Sequence, residues 1–245
     1  MRISDIAAHL LPPVVPMVLR KIRQRHPFDC LPQNTPVEWV LDIGANKGDV
    51  ALAALKSYPS CKVICFEPVQ ATFDLLQQNL NAYSDRTFLY HSALAETAGV
   101  GEINITSFHG ANSILPQSPF HKKFNPHIGE MRKEQISLVR LDDIAAQFPT
   151  THIDIMKIDV EGYEINVLKG GRAFIQSCVD TIIVEASLMR DASWERQGFM
   201  DLFLELTQLG FRLINIFDVH KADDSEMMLV QMDCIWRHQR VLARN

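Results

Sequence analysis

The chain has 245 residues, a formal net charge of -5 and an isoelectric point near 6.0. Its apolar fraction of 47% and charged fraction of 22% are ordinary for a globular protein, and its length suits one α/β domain with a short extension. The acidic balance argues against a protein that binds nucleic acid by neutralising phosphates. No apolar run is long enough to span a bilayer, and the N-terminus lacks the pattern of a secretory signal.

The five cysteines indicate a reducing compartment. Their number is odd and no C-x-x-C pair occurs, which disfavours both a disulfide framework and a zinc site. We therefore expect a cytoplasmic protein whose thiols are reduced.

Residues 1–36 are predicted to form a helical N-terminal arm. A helix is expected over residues 3–10, and Pro12, Pro13 and Pro16 follow it. Residues 10–25 also combine apolar side chains with several arginines and a lysine, a pattern typical of helices on membrane surfaces. Because the prolines interrupt such a helix, we favour an arm that packs on the domain or on a second copy of the chain, as a homo-oligomer contact.

The main domain, residues 37–245, starts with a strand, a glycine-rich turn, a helix and a second strand. The strand over residues 39–43 runs into the turn between Gly44 and Gly48, and the second strand ends at Glu67. Glycines let the backbone approach a ligand closely. An acid at the tip of the second strand is placed to accept hydrogen bonds from two ribose hydroxyls. The unit predicts a site for a cofactor that contains adenosine.

The spacing of the turn narrows the choice of cofactor. Asn46 stands where a dinucleotide fingerprint has its middle glycine, and the phosphate-binding loop of nucleotide triphosphatases is absent. Backbone amides of the turn suit a carboxylate, and Asp42 can either attract a cation or order the turn. These features favour S-adenosylmethionine, whose tail is an amino acid. An NAD(P)-dependent oxidoreductase and a non-catalytic interaction module are the alternatives.

Strands and helices continue to alternate along the chain. The further expected elements are helix 71–82, strands 87–92, 102–106 and 136–139, helix 141–147, strand 153–158, helix 163–176 with a break at Gly170, strand 181–185, helix 195–209 and strands 212–217 and 228–236. Apolar strands separated by helices predict a doubly wound, mostly parallel α/β sheet. The last two strands are expected to form an antiparallel hairpin.

Residues 107–134 are predicted to form a long inserted loop. The loop carries aromatic, histidine and basic side chains, among them Phe120, Lys122 and Lys123. A loop of this length within a compact domain is usually functional or disordered. It is therefore a candidate lid over a sugar or anionic acceptor, and a solvated surface loop is the alternative.

A second polar cluster follows the strand over residues 153–158. Lys157 lies within this apolar strand and needs a partner, because a lone buried ammonium is costly; Asp42 and Glu185 are the expected partners. Asp159 ends the strand at the edge where parallel sheets bind ligands. Asp159, Glu161 and Glu185 could form a cluster, but no histidine spacing supports a metal site, and none is expected.

Four motifs in this order and spacing resemble the FkbM family. They are L-D-I-G-A-N-x-G at 41–48, F-E-P at 66–68, S-A-L at 92–94 and K-I-D-V-E-G-x-E at 157–164. FkbM proteins are S-adenosylmethionine-dependent methyltransferases with the class I, Rossmann-like fold. The resemblance covers about residues 40–217. It implies O-methylation of a hydroxyl on a small-molecule, sugar, glycan or natural-product acceptor.

The resemblance also implies residue roles. The turn would hold the cofactor, Glu67 its ribose, and residues 92–94 would lie beside adenine. Gly110 to Ser113 resembles, imprecisely, a small-residue and serine motif of the family. The complete set of expected cofactor-binding residues is Asp42, Gly44, Ala45, Asn46, Gly48, Glu67, Pro68, Ser92, Ala93, Leu94 and Asp159.

The expected reaction is an in-line displacement. Its rate depends on aligning the acceptor oxygen, the methyl carbon and the sulfur, and an alcohol must also lose a proton as it attacks. Asp159 is the predicted base and Glu161 the second candidate. Asp159 could instead place the cofactor, and residue patterns do not separate these two roles.

Overall fold

The computed structural model describes residues 28, 31, 37–107, 109–115, 129–188, 198–221 and 229–243. The expected arm, residues 1–36, lies outside this set except for Phe28 and Leu31. Both side chains are buried against the domain, where the ring of Phe28 packs edge-on to that of Tyr58. Lys122, Lys123 and the rest of residues 116–128, in the middle of the expected lid, also lie outside the described residues.

The first half of the main sheet follows the predicted strand–helix alternation. Its elements are β1 (Trp39–Ile43), α1 (Asp49–Ser57), β2 (Lys62–Phe66), α2 (Gln70–Leu80) and β3 (Thr87–Tyr90). The three strands pair in parallel. Apolar side chains alternate between the two faces of each strand, and helices cover both faces, which is why β1 and β2 are almost continuously apolar.

A small second sheet is formed by the part of the chain between β3 and the second half of the main sheet. Its elements are β4 (Ala93–Leu94), β5 (Gly99–Thr106) and β6 (Glu130–Val139), and the short helix α3 (Leu141–Ile144) follows. The strand order is β4-β6-β5, with β5 and β6 antiparallel. The expected loop 107–134 therefore ends earlier than predicted, because its last five residues belong to β6.

The second half completes the main sheet. Its elements are β7 (Ile153–Ile158), α4 (Glu164–Gly170), α5 (Arg172–Cys178), β8 (Val179–Ser187), α6 (Phe199–Gln208), β9 (Phe211–Lys221), β10 (Leu229–His238) and α7 (Gln239–Leu242). The break expected at Gly170 separates α4 from α5.

The main sheet has seven strands in the order β3-β2-β1-β7-β8-β10-β9. β10 is antiparallel to both of its neighbours and is inserted between β8 and β9. The mostly parallel α/β fold and its closing antiparallel hairpin are confirmed. The strand order reverses direction between β1 and β7, which is where an open α/β sheet forms its ligand crevice.

None of the helices in the described part of the chain is both long enough and apolar enough to cross a membrane.

Candidate active site

A cleft of about 390 Å³ opens at the carboxyl ends of β1, β2, β7 and β8. Its volume is in the range of small-molecule and cofactor sites. The turn after β1 forms one side, and residues from the small sheet and from segment 109–115 form another. The cleft therefore lies where the strand order reverses. Its two sides are formed by different parts of the chain, so each side could contact a different ligand.

The glycine turn owes its shape to left-handed backbone at three positions. Gly44 has φ +78°, Asn46 +51° and Gly48 +91°. A Cβ on Gly44 would lie 1.9 Å from the carbonyl oxygen of Asp159, so no side chain fits there. The amides of Gly44 and Ala45 donate to the carbonyl of Phe66, which fixes the turn to the end of β2. The backbone of the turn therefore lies close to the end of β2 and to the residue that follows β7.

Glu67 is held in place by two backbone amides. Its Oε2 accepts a hydrogen bond from the amide of Asn46, and its Oε1 accepts one from the amide of Val69, each at 2.9 Å. An ionised carboxylate has about four lone-pair positions, so each oxygen keeps one for a ligand. Burial raises the pKa of Glu67 to about 7, although the two amide hydrogen bonds lower it.

Lys157 is buried and lies between two carboxylates. Its Nζ is 3.5 Å from Asp159 Oδ2 and 3.5 Å from Asp233 Oδ1. These carboxylates, Asp159 first, raise the pKa of Lys157 well above its usual value against the opposing effect of burial. The expected carboxylate pairing of Lys157 is confirmed. The expected partners, Asp42 and Glu185, are wrong, since both act on Lys157 only at longer range.

Asp42 lies beneath the turn rather than on the wall of the cleft. It is almost fully buried, and its Oδ2 has no hydrogen-bond partner in the described structure. Burial raises the pKa of Asp42 to about 7, and the opposing effects include Lys157 and the amide of Ala51. Ala51 lies in the first turn of α1, where a carboxylate is favourable. Of the two roles expected for Asp42, the geometry favours ordering the turn over contacting a ligand.

Three carboxylates meet at the other side of the cleft. Asp159 follows β7, Glu161 follows two residues later, and Glu185 lies on β8; one oxygen from each lies within 4.8 Å of the others. We call these three residues the carboxylate triad. Burial, followed by the charges of Asp159 and Glu161, raises the pKa of Glu185 well above its usual value. The cleft is thus strongly acidic on this side.

Segment 109–115 closes the cleft above the carboxylate triad. The hydroxyl of Ser113 donates to the carbonyl of Glu161 at 2.7 Å, and Glu161 has a left-handed φ of +54°. The buried side-chain amide of Asn104 donates to the carbonyls of Ser113 and Leu115. Segment 109–115 is therefore attached to β5 and to the turn after β7.

A family model described as the methyltransferase FkbM domain matches residues 42–213, more than half of the chain. The chain belongs to the FkbM methyltransferase family. This confirms the resemblance seen in the four motifs.

Two methyltransferases show how far the similarity of this chain to characterised proteins extends. Methyltransferase sdnD from Sordaria araneosa is 26% identical over 205 residues, covering 74% of this chain and 75% of that protein. The 2-O-methyltransferase NoeI from Sinorhizobium fredii is 26% identical over 139 residues, covering 54% of this chain and 57% of NoeI. The matched parts thus leave a quarter or more of each relative uncovered.

A solved FkbM structure shares the fold. The crystal structure of methyltransferase FkbM from Methylobacillus flagellatus KT superposes with a TM-score of 0.55 at 17% identity. The match covers 89% of this chain and 50% of that one, so this chain spans about half the length of the solved relative.

Most residues predicted for the FkbM site lie on the cleft wall. Gly48 and Asp42 do not: Gly48 packs behind the turn, where a Cβ would approach Leu76 at 2.8 Å. The predicted residues that line the cleft are Gly44, Ala45, Asn46, Glu67, Pro68, Ser92, Ala93, Leu94, Asp159 and Glu161.

Four residues that matter to the site were not predicted. Asn112 and Tyr163 line the cleft, Asn104 holds segment 109–115, and Asp233 pairs with Lys157. A signal was present for two of them, since Asn104 and Asp233 each stand between two apolar residues of a predicted strand. Asn112 lies within the 110–113 motif and Tyr163 within the 157–164 motif, but neither motif gave these two residues a role of their own.

Proposed function

We propose that the protein is an S-adenosylmethionine-dependent O-methyltransferase whose acceptor is a hydroxyl of a sugar, glycan or natural product. The observation that carries the proposal is the geometry of Glu67. Two backbone amides fix its carboxylate on the cleft wall, and one of them belongs to the glycine turn. A carboxylate with one free lone pair on each oxygen matches the two adjacent hydroxyls of a ribose.

The rest of the wall supports the same cofactor. Ser92, Ala93 and Leu94 line the cleft beyond Glu67, where they would contact an adenine ring. The glycine turn leaves backbone amides close to the cleft, where a carboxylate tail is favourable. A cleft of about 390 Å³ has room for a ligand of this size. The donors and acceptors present therefore fit S-adenosylmethionine.

When bound, S-adenosylmethionine supplies a methyl group on a positively charged sulfur. The chain must position the acceptor oxygen in line with that methyl group and receive its proton. Asp159 is the proposed base, because it ends β7 at the cleft and its Oδ2 is held 3.5 Å from Lys157 Nζ. The ion pair with Lys157 fixes the direction of this carboxylate on the cleft wall. Glu161 is the second candidate.

A relative and the cleft wall support the proposed acceptor class. NoeI is named as a 2-O-methyltransferase, so a related chain modifies an oxygen. In this protein the acidic side of the cleft faces Gly110, Asn112 and Ile114 of segment 109–115. The side-chain amide of Asn112 and the carboxylates opposite it can form hydrogen bonds with the hydroxyl groups of a polyhydroxylated acceptor.

A methyl-transfer assay tests the proposal. The protein is incubated with methyl-labelled S-adenosylmethionine and panels of sugars, oligosaccharides and hydroxylated natural products, and transfer to oxygen is identified by mass spectrometry. We expect Asp159→Asn to lower kcat by about 10²–10⁴-fold on the acceptor found. Asp143→Asn is the matched control, because Asp143 is an exposed partner of Arg140. Transfer to nitrogen or carbon, or an unaffected Asp159→Asn variant, would contradict the proposal.

A further inference from the structure

We propose that the carboxylate triad binds one divalent cation of the magnesium or manganese type. Asp159, Glu161 and Glu185 each offer an oxygen, and these atoms lie within 4.8 Å of one another on the cleft wall. Hard divalent cations prefer such oxygen ligands. This departs from the expectation of no metal, which rested on the absence of suitably spaced histidines.

The side chain of Glu185 gives the proposal independent support. Glu185 lies on β8 among buried neighbours, and its side chain is partly buried and lines the cleft. In the described part of the chain, the Glu185 carboxylate has no hydrogen-bond donor and no cation within ion-pair distance. A buried carboxylate without a partner is costly. A cation in the cleft would supply the missing partner.

Lys157 does not satisfy this need. Its Nζ lies 3.5 Å from Asp159 Oδ2 and 3.5 Å from Asp233 Oδ1, so its ammonium is shared between these two carboxylates. Asp159 keeps its second oxygen for another ligand. Of the carboxylate triad, only Asp159 lies within ion-pair distance of the Lys157 ammonium among the described residues.

A second acidic group shows the difference between a structural cluster and a ligand site. His152, Asp154 and Asp180 also lie close together, at the opposite end of the sheet. There, Asp154 Oδ2 accepts hydrogen bonds from the amides of Glu38 and Trp39, and Asp180 pairs with Arg240. These carboxylates already have protein partners, so we assign no ion to them.

The role of the cation rests on the proposed function. Three carboxylate oxygens leave coordination positions for water and for an acceptor hydroxyl. Coordination would lower the pKa of that hydroxyl and fix its direction toward the methyl group. Its proton would pass to a carboxylate oxygen of the triad, and the oxygen–carbon bond would form as the carbon–sulfur bond breaks. Mg²⁺ or Mn²⁺ is not consumed in this step.

The test is direct binding of Mn²⁺ to the full chain after treatment with a chelator. Free Mn²⁺ is measured by electron paramagnetic resonance for the wild type and for Glu185→Gln and Glu102→Gln, with circular dichroism as a check on folding. Glu102 is an exposed partner of Lys133 and controls for the loss of one charge. We expect one bound ion per chain, a weakening of about tenfold or more in Glu185→Gln and no change in Glu102→Gln.

Two results would overturn the proposal. One is the absence of binding by the wild type at about 1 mM Mn²⁺. A site that is empty at this concentration would bind more weakly than typical protein sites for hard cations. The other is an equal affinity of Glu185→Gln and wild type, which would place the ion elsewhere. S-adenosylmethionine binding is measured on the same metal-free protein. Cofactor binding without Mn²⁺ binding rejects only the metal site, and Mn²⁺ binding without cofactor binding rejects only the proposed function.

Discussion

Lys157 shows how one buried charge organises the acidic side of the cleft. Asp159, just after β7, and Asp233, in the middle of β10, each lie 3.5 Å from its ammonium. The pairing offsets the desolvation of a side chain that is almost fully buried. It also links the strand inserted late in the chain, β10, to the residue proposed as the base.

Replacing Lys157 by methionine should destabilise the protein strongly. Removal of one member of a buried ion pair leaves the remaining charges uncompensated, which costs about 3–5 kcal/mol. The pKa of Lys157 is raised in the folded state, so its contribution is complete at neutral pH and is lost only as the pH rises through that raised value. Urea unfolding at neutral pH measures the loss.

Two further variants make the Lys157 result interpretable. Lys133→Met should change stability by less than about 1 kcal/mol, because Lys133 and its partner Glu102 are exposed. Adding Asp233→Asn to Lys157→Met should restore part of the loss, since one uncompensated charge is removed. If Lys157→Met has the same free energy of unfolding as the wild type, the ion pairs of Lys157 make no net contribution to stability.

The raised pKa of Glu67 predicts a pH-dependent affinity for the cofactor. Only the ionised carboxylate accepts hydrogen bonds from both ribose hydroxyls, and burial sets the pKa of the free protein at about 7. As the pH rises from about 6 to about 8, the ionised fraction and therefore the affinity should rise by about tenfold. Calorimetry across this range measures the change, and a flat profile would argue against ribose recognition by Glu67.

At the scale of elements, segment 109–115 depends on two side chains for its position. Ser113 donates to the carbonyl of Glu161 and accepts from the amide of Leu115. Asn104 attaches the same segment to β5. These contacts hold segment 109–115 next to the left-handed residue Glu161, so the shape of the proposed acceptor side of the cleft depends on them.

Ser113→Ala should loosen this segment. The loss of two hydrogen bonds at a buried hydroxyl is expected to cost about 1–2 kcal/mol, together with faster hydrogen exchange of amides in segment 109–115. Ser107→Ala is the control in the same stretch, because Ser107 contacts Gly129 at an exposed position. If exchange in the segment is unchanged in Ser113→Ala, the segment is held by other contacts.

The elements that could be predicted from sequence are those with strong local patterns. β1, β2, β7 and β8 are apolar runs followed by a turn or a polar residue, and their bounds were predicted to within about two residues. β6 was read largely as loop, because Glu130 to Glu134 is highly charged. It pairs with β5 through contacts such as Lys133 with Glu102, which depend on tertiary structure.

The candidate site could also be predicted only in part from the sequence. The turn and Glu67 follow a spacing that recurs with adenosine-containing cofactors, so their positions on the cleft could be predicted. The partner of Lys157 could not, because Asp233 lies 76 residues away and approaches only when β10 inserts next to β8. Asp42 was placed in the site by its motif, but the pleat of β1 directs it beneath the turn.

At the scale of the whole molecule, one end of the main sheet forms the cleft and the other end carries a structural cluster of charged side chains. The carboxyl ends of the strands carry the cleft, with strained turns and crowded acids. At the opposite end, Asp154 Oδ2 accepts hydrogen bonds from the amides of Glu38 and Trp39, each at 2.8 Å. His152 and Arg240 complete this cluster through Asp180. The cluster ties β1, β7, β8 and the C-terminal helix together.

Asp154→Asn should therefore reduce stability without affecting ligand binding. The loss of charge-assisted hydrogen bonds to two amides is expected to cost about 1–3 kcal/mol. The affinity for S-adenosylmethionine should stay within about twofold of the wild type, because the cluster does not line the cleft. Thermal unfolding and calorimetry on the same samples separate the two effects, with Asp143→Asn as an exposed control. A large loss of affinity would contradict this separation.

The most direct test of the account is calorimetric binding of S-adenosylmethionine and S-adenosylhomocysteine, with NAD as the competing cofactor. We expect both ligands to bind the wild type with a Kd on the order of 10⁻⁶ M. Glu67→Gln should weaken them by about tenfold or more, since an amide cannot accept on both positions, whereas Glu102→Gln should not. Absence of binding, or tighter binding of NAD, would contradict the proposed methyltransferase cofactor site.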